Sequence, residues 1–488
     1  TEITGIEVTQ ELLGEGELVH RLQRQLRSGE KAYDIFVNDA DMIGTHLRLD
    51  SAVDLSEYME EQGAKVTNPR LNLDDFLHLE CGQDYEGNQL QLPDQHFANV
   101  YWFRYDWFTD PKFKNDFREQ YGYELGVPVN WAAYEDIADF FTGKTIDDQT
   151  VYGHMDYGQA SPSLGWRFSD AWLSIAGVGD PGLPNGYPVD EWGIRVDGKT
   201  PVGASTERGG AANSPAAVYA TQKYLQWLQQ FAPASAVSMD WEEAGMVPAQ
   251  GHIAQCIFQY ATWLSDPAFT APRSAVTDAQ GKPLWRVAPT PRGKYWDQGM
   301  KVGYQDAGSW TIPKQSVHGD QRKAAWLWAQ FCVSQSVSLK KFLVGRTPVR
   351  KSTLFSEHLA KEEQKNCFGG LITFYKSPMA SLWSDSGPNV PHYPRMAGLW
   401  EEHIARAVRG EATPQQAMDG LAYAMDAEME KMDLKRYSPQ LNPKKSRAYW
   451  LSQPGAPKPK RSERPPQTVP YATLLKHWRE QTRQSGEN

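Results

Sequence analysis

The chain has 488 residues, long enough for two or three domains with full cores, and its 40% hydrophobic and 23% charged residues are globular rather than disordered values. A formal net charge of −10 argues against nucleic acid or an anionic membrane as partner, and says nothing about a neutral ligand. There is no apolar run of about 18 residues, the length a bilayer-spanning helix needs.

The elements follow in chain order. Ile3 to Val8 alternates as a strand, and Glu17 to Arg27 puts Leu18, Val19, Leu22 and Leu26 on one helical face. Tyr33 to Val37 then reads as a buried strand running into Asn38, Asp39 and Asp41. This strand–helix–strand order predicts a parallel sheet. Ligands of open α/β sheets bind beyond the carboxyl ends of strands, where these three residues fall, although Asn and Asp also cap helices.

The stretch from Gly87 to Phe108 carries most of the functional signal. Leu90 and Leu92 alternate, the pattern breaks at Pro93-Asp94-Gln95, and Val100-Tyr101-Trp102-Phe103 is an apolar strand. Amide and carboxylate groups thus sit beside aromatic faces at a change of direction. A site for a hydroxyl-rich, uncharged ligand needs both, flat faces for its C–H surface and forked polar groups for its hydroxyls. Gln95 and Tyr101 are the candidates here, and a plain aromatic core strand is the competing reading.

Asn130 is placed as the cap of a helix burying Tyr134, Ile137, Ala138 and Phe141, stopped by Gly143. Val151 to Gly158 reads as a strand near a first crossing between domains, and Trp166 to Ala176 as a helix. Gly177 to Gly182 matches GxGxxG, but a helix precedes it and a Pro-rich loop follows, the wrong setting for a dinucleotide. Residues 177–213 read as a loop insertion with a short hairpin. Ser214-Pro215 opens a helix, and Leu284–Pro289 and Lys301–Ile312 are strands. Gln321–Val333 is a helix with Ala325, Trp328 and Cys332 on one side. Thr413-Pro414-Gln415-Gln416 is a capping box opening another. From Ser438 the chain is rich in Pro, Lys and Arg, an extension before a last amphipathic helix from Tyr471 to Trp478.

Several stretches, in this order, resemble the carbohydrate-type solute-binding proteins of ABC transporters, the maltose-binding-like family. They are QLPDQ…NVYWFRYDWF (91–108), VPVNWAAYEDIADFF (127–141), GHIAQCIFQYATWLSDP (251–267), VGRTPVR (344–350) and RGEATPQQAMDGLAYAMD (409–426). The likeness is greatest to the glycerol and sugar-alcohol branch. It implies an α/β, two-lobed periplasmic-binding-protein fold of type II with the ligand in the inter-lobe cleft. Residues 1–150 would form lobe one, 151–300 lobe two, 301–345 the return, 346–437 shared closing helices and 438–488 the extension.

The same resemblance implies Trp166 and Arg167 at the cleft edge and Gln259, Tyr260 and Trp263 facing the ligand. It also implies Asp306, Ser309 and Trp310 on the return strand, with Arg346 offering a guanidinium fork. It implies an exported, periplasmic monomer that delivers a small polyol or sugar, glycerol favoured, to the permease subunits. No cofactor and no nucleic acid are expected. The chain starts Thr-Glu-Ile-Thr without a signal peptide, through processing or truncation, and the resemblance favours truncation of a first strand and helix.

Eighteen Trp, 22 Tyr and 18 Phe are a high aromatic load that suits a carbohydrate site, although most copies in any protein are core. Four spread cysteines, Cys81, Cys256, Cys332 and Cys367, form no zinc pattern, and one or two disulfides would suit export without the spacing assigning them. No GxSxG, HExxH, P-loop or CxxC occurs, so an enzyme is not expected. The alternative is a glycoside hydrolase using a carboxylate pair drawn from Asp39, Asp41, Asp94 and Asp306.

Overall fold

The computed structural model describes residues 5–179, 188–198, 200–258, 266–301, 303–344, 347–364, 368–378, 383–385, 390–432, 444–454, 456 and 458–484. Strands β1 (Phe36–Asp39), β2 (Leu92–Ala98), β3 (Val100–Arg104), β4 (Gln255–Phe258), β5 (Trp285–Ala288), β6 (Gly303–Thr311) and β7 (Trp383–Asp385) build two sheets. In the first, β6 is central, with β1 and β2 antiparallel on it and β7 parallel. In the second, β3 runs antiparallel between β4 and β5.

This corrects the parallel sheet expected from the N-terminal pattern. Gly5 to Val8 make no strand, and Val8 is 43% exposed, so the β-α-β unit that would have forced parallel pairing does not form there. Strand β1 pairs instead with a partner some 270 positions later, as in the register of Phe36 with Thr311. Val151 to Gly158 is not a strand either; it holds only the single bridge of Tyr152 to Ile253.

The change of sheet falls at Asn99, not near Val151. Strands β2 and β3 are one extended run broken at that residue, and the helix Trp131–Phe141 that follows is tied to the second sheet and the segment after β5. Gln255 Nε2 on β4 donates to the Tyr134 carbonyl at 2.9 Å, and the Trp131 indole donates to the Pro291 carbonyl at 2.9 Å. The chain therefore leaves the first sheet at Ala98 and re-enters it at β6.

The helices follow their sequence signals. The first spans Glu15–Ser28 and ends on Gly29, whose φ of 69° is one that few other residues adopt. Asn130 caps Trp131–Phe141 by accepting from Ala133 N–H, and Tyr134, Ile137, Ala138 and Phe141 are all buried. Thr413 and Gln416 make both bonds of their capping box. In Gly319–Cys332, Ala325 and Cys332 are buried as expected, but the buried tryptophan is Trp326, and Trp328 is only half-buried.

Most of the aromatic surplus is core. Trp131, Trp172 and Tyr134 surround Trp227 with ring centroids 5.2, 5.0 and 4.6 Å away, the separations that edge and offset contacts favour. Cys256 and Cys332 are free, buried thiols, and Cys367 lies outside the described residues.

The C-terminal extension is built into lobe two. Ser446 caps Arg447–Ser452, and the Trp450 indole donates to the Glu207 carbonyl at 2.7 Å. Arg464 pairs with Asp136 at 2.9 Å, Thr468–Val469 pairs with Val127–Pro128, and the last helix, Tyr471–Gln484, buries Trp478. Between them Glu463 accepts from the Tyr219 hydroxyl. Burial, with Glu135 nearby, pushes the Glu463 carboxyl up to about 7 against the opposing charge of Arg464. A docked extension thus holds a proton that a released one gives up. Its attachment is expected to be strongest below about pH 4.5, to weaken as pH rises to about 7, and to stay level above that. Melting curves from pH 4 to 8 should show this slope, and Glu463→Gln should flatten it.

Candidate functional site

The first sheet has one buried face and one partly open face, set by the two-residue period of its strands. On β1, Phe36 and Asn38 are buried while Val37 and Asp39 are half-buried. Directly opposed residues of an antiparallel pair share a face. Asp39 stands opposite Gly308 on β6, and Gly308 stands opposite Gln95 on β2. The row Asp39–Gly308–Gln95 thus crosses three strands on the open side, with roughly 10 Å between the outer two backbones.

Space at position 308 is tight. A Cβ there would lie 3.3 Å from Gln95 Cγ and Nε2 and 3.4 Å from Phe97, so both side chains lean over it. Gly308→Leu should fill the trough between Asp39 and Gln95; we expect a folded protein, by circular dichroism, that has lost its ligand response in a melting assay.

A β-bulge follows. Gly308 faces Gln95 but Ser309 faces Pro93, which leaves Asp94 as the extra residue. Asp94 Oδ1 accepts from the Trp310 indole at 3.0 Å and from Lys341, fixing how the half-buried Trp310 sits.

The other face is closed by a polar cluster. Asn38 donates to His46 at 3.1 Å and accepts from Gln91 at 3.2 Å and Thr311 at 2.5 Å, and His46 bonds Ser51 at 2.9 Å. Burial lowers His46 to about 3, so it is neutral and accepts from Asn38 through one nitrogen. Asn38 therefore belongs behind the sheet, one residue out of phase with Asp39. Ser309 is likewise fully buried, with its hydroxyl on the Ala307 carbonyl. Asp41 is 1% exposed in the turn Ala40–Met42. Tyr101 is a core residue: it is fully buried, stacked on Phe103, and its hydroxyl donates to Gln255 at 2.7 Å.

Arg167 is also placed inside. Its Nε and Nη2 reach the two oxygens of Asp156 at 3.2 Å each, Nη1 donates to Asn99 at 2.9 Å, and Nη2 meets the Ile257 carbonyl. Burial works hardest against its charge, but Asp156, with Tyr157 and Cys256 adding to it, holds it above its ordinary value. Trp166, beside it in the chain, is half-buried at the edge of the lobe-two core.

Asp306 is opposite Phe97 in register. Gln259, Tyr260, Trp263 and Arg346 lie outside the described residues; Thr347, next to Arg346, accepts from the His96 N–H of β2 at 2.8 Å. Sequence reading missed Phe97, Asn99 and Asp156 altogether and had Asp94 only as a possible catalytic acid. Asn99 did leave a signal, a polar residue directly before the apolar run Val100–Phe103.

Two sheets joined across Asn99 define a two-lobed periplasmic-binding-protein fold. No protein-family model matches the sequence, and no curated protein matches it. Solved structures do match. The chain is similar to the ABC transporter solute-binding protein of Agrobacterium radiobacter K84 in complex with ribitol (20% identity, 86% of this chain and 90% of that one, TM-score 0.63). It is similar to that of Agrobacterium vitis S4 with bound D-mannitol (14% identity, 89% and 94%, TM-score 0.63). Maltose-bound MalE3 of T. maritima matches as well (17% identity, 85% and 89%, TM-score 0.60). At these identities the likeness speaks for the fold.

Proposed function

We propose that this chain is a solute-binding protein that closes its two lobes on a small neutral polyol or sugar and hands it to the permease of an ABC importer. The observation that carries the reading is the row Asp39–Gly308–Gln95: a carboxylate and an amide flank a glycine-floored trough on the open face of the sheet, about four residues from the lobe junction. A carboxylate accepts from adjacent hydroxyls through two oxygens, and an amide both donates and accepts. Phe97 and Trp310 border the trough with the apolar faces that a C–H surface needs.

Ligands named for the similar structures, ribitol, D-mannitol and maltose, belong to this chemical class. Within it we favour glycerol or a short polyol, because Gln95 and Phe97 already lean over Gly308 and leave little depth. Tyr260 and Arg346 are proposed to complete the grip, in an exported protein that makes and breaks no bond.

The test is a melting-temperature panel with glycerol, erythritol, mannitol, maltose and glycerol 3-phosphate. A binder at a hundred times its Kd adds about 2.7 kcal/mol to stability, a readily measured rise. We expect the neutral polyols to stabilise. A response to the phosphate alone, or to nothing, would refute the reading, and hydrolysis of a glycoside panel would favour the enzyme alternative.

A further inference from the structure

The backbone passes from one lobe to the other over a single residue. Asn99 separates Ala98, the end of β2, from Val100, the start of β3, so this passage is one of those that must absorb a change of angle between the lobes, with the passage into β6 and the one after Arg350. Asn99 is only 3% exposed, and its Oδ1 accepts from Arg167 Nη1 at 2.9 Å. The remainder of that guanidinium is anchored in lobe two, on both oxygens of the fully buried Asp156 and on the carbonyl of Ile257 in β4.

Arg167 opens a π-helical stretch, Arg167–Leu173, that packs against β6, the second strand leading between the lobes. Such widened turns are rare and occur mainly at functional positions. The guanidinium is a rigid plane, so the fork onto Asp156 dictates where Nη1 points. A buried ion pair of this kind adds little net stability, because desolvation offsets its attraction, and fixing a geometry is the better-attested use.

We propose that Arg167 is a hinge-positioning residue: anchored to lobe two by Asp156 and Ile257, it holds Asn99 and so sets the resting angle between the lobes, without itself touching ligand. Affinity then depends on it through the share of molecules already near the closed angle. Only this affinity consequence rests on the solute-binding reading; the angle belongs to the ligand-free protein.

The test uses nitroxide labels at two exposed positions, Glu61→Cys in lobe one and Glu119→Cys in lobe two, and pulsed-EPR distances without and with mannitol. Asn99→Ala removes the hinge contact and leaves the Arg167–Asp156 fork in place. Arg167→Lys, which keeps the charge but loses the fork, is the second variant should the first not fold. We expect a shifted or broadened distance distribution in the ligand-free variant, a normal closed distance at saturating mannitol, and a Kd changed about three- to thirtyfold. A ligand-free distribution identical to wild type overturns the proposal, and doubly so if affinity still falls, since the pair would then contact ligand directly. If the wild-type protein binds no polyol or sugar, the solute-binding reading fails, while the ligand-free distances still decide the hinge.

Discussion

Replacing Asp39 and Gln95 together by alanine is expected to abolish measurable polyol binding, with Asp39→Ala alone weakening it about ten- to hundredfold and Gln95→Ala alone, which removes a neutral amide, about two- to tenfold. The larger magnitude follows from hydrogen bonds to a charged group, about 1.5–3 kcal/mol each, where one decade of affinity is about 1.4 kcal/mol. Asp39→Asn should fall between wild type and Asp39→Ala, because it keeps an acceptor and loses the charge. Ser309→Ala is the control. It lies on the opposite face of the same sheet, with its hydroxyl on the Ala307 carbonyl, and should leave affinity unchanged. Titration calorimetry on the five variants and the wild type decides the matter; a loss in Ser309→Ala comparable to that in Asp39→Ala would move the site to the wrong side of the sheet.

Trp478→Ala is expected to destabilise the protein by about 3–5 kcal/mol, the usual cost of emptying a large buried aromatic site. Trp478 is 1% exposed and meets Phe374 edge-on at 5.8 Å. The start of the same helix is held as closely: the Tyr471 hydroxyl donates to the Gly369 carbonyl at 3.0 Å and lies against Gly370. Gly370 sits at φ 92°, and a Cβ there would run into that hydroxyl, so Gly370→Ala should also undock the helix. Calorimetric melting, with limited proteolysis to show the tail released, gives the readout. A melting temperature unmoved by either change would mean that the extension merely rests on the surface.

The site was half legible, for a reason that particular residues make plain. The sequence places Asn38, Asp39 and Asp41 at one strand end but does not show which of them faces the trough. A strand turns successive side chains to opposite faces, so Asp39 and Asn38 have opposite fates although they are neighbours. The same alternation separates Gln95 from His96 and Trp310 from Ser309. Arg167 and Tyr101 were misread in another way. A polar or aromatic residue beside a change of direction fits a ligand contact or a buried network equally well, and only the positions of Asp156, Asn99 and Gln255 tell them apart.

While two lobes were implied by the resemblance alone, local chemistry was enough to determine the helix starts at Asn130, Ser214 and Thr413, the aromatic strand at 100–103 and the break before it. These depend on a few neighbours in the chain, which the sequence contains. The tertiary structure alone decided that β1 pairs with β6 across some 270 residues, that the lobes part at Asn99, that a bulge frees Asp94, and that the basic extension is fastened into lobe two. Each of these is a contact between segments distant in the chain, selected by burial and register after collapse, and no local pattern of residues encodes which distant partner wins.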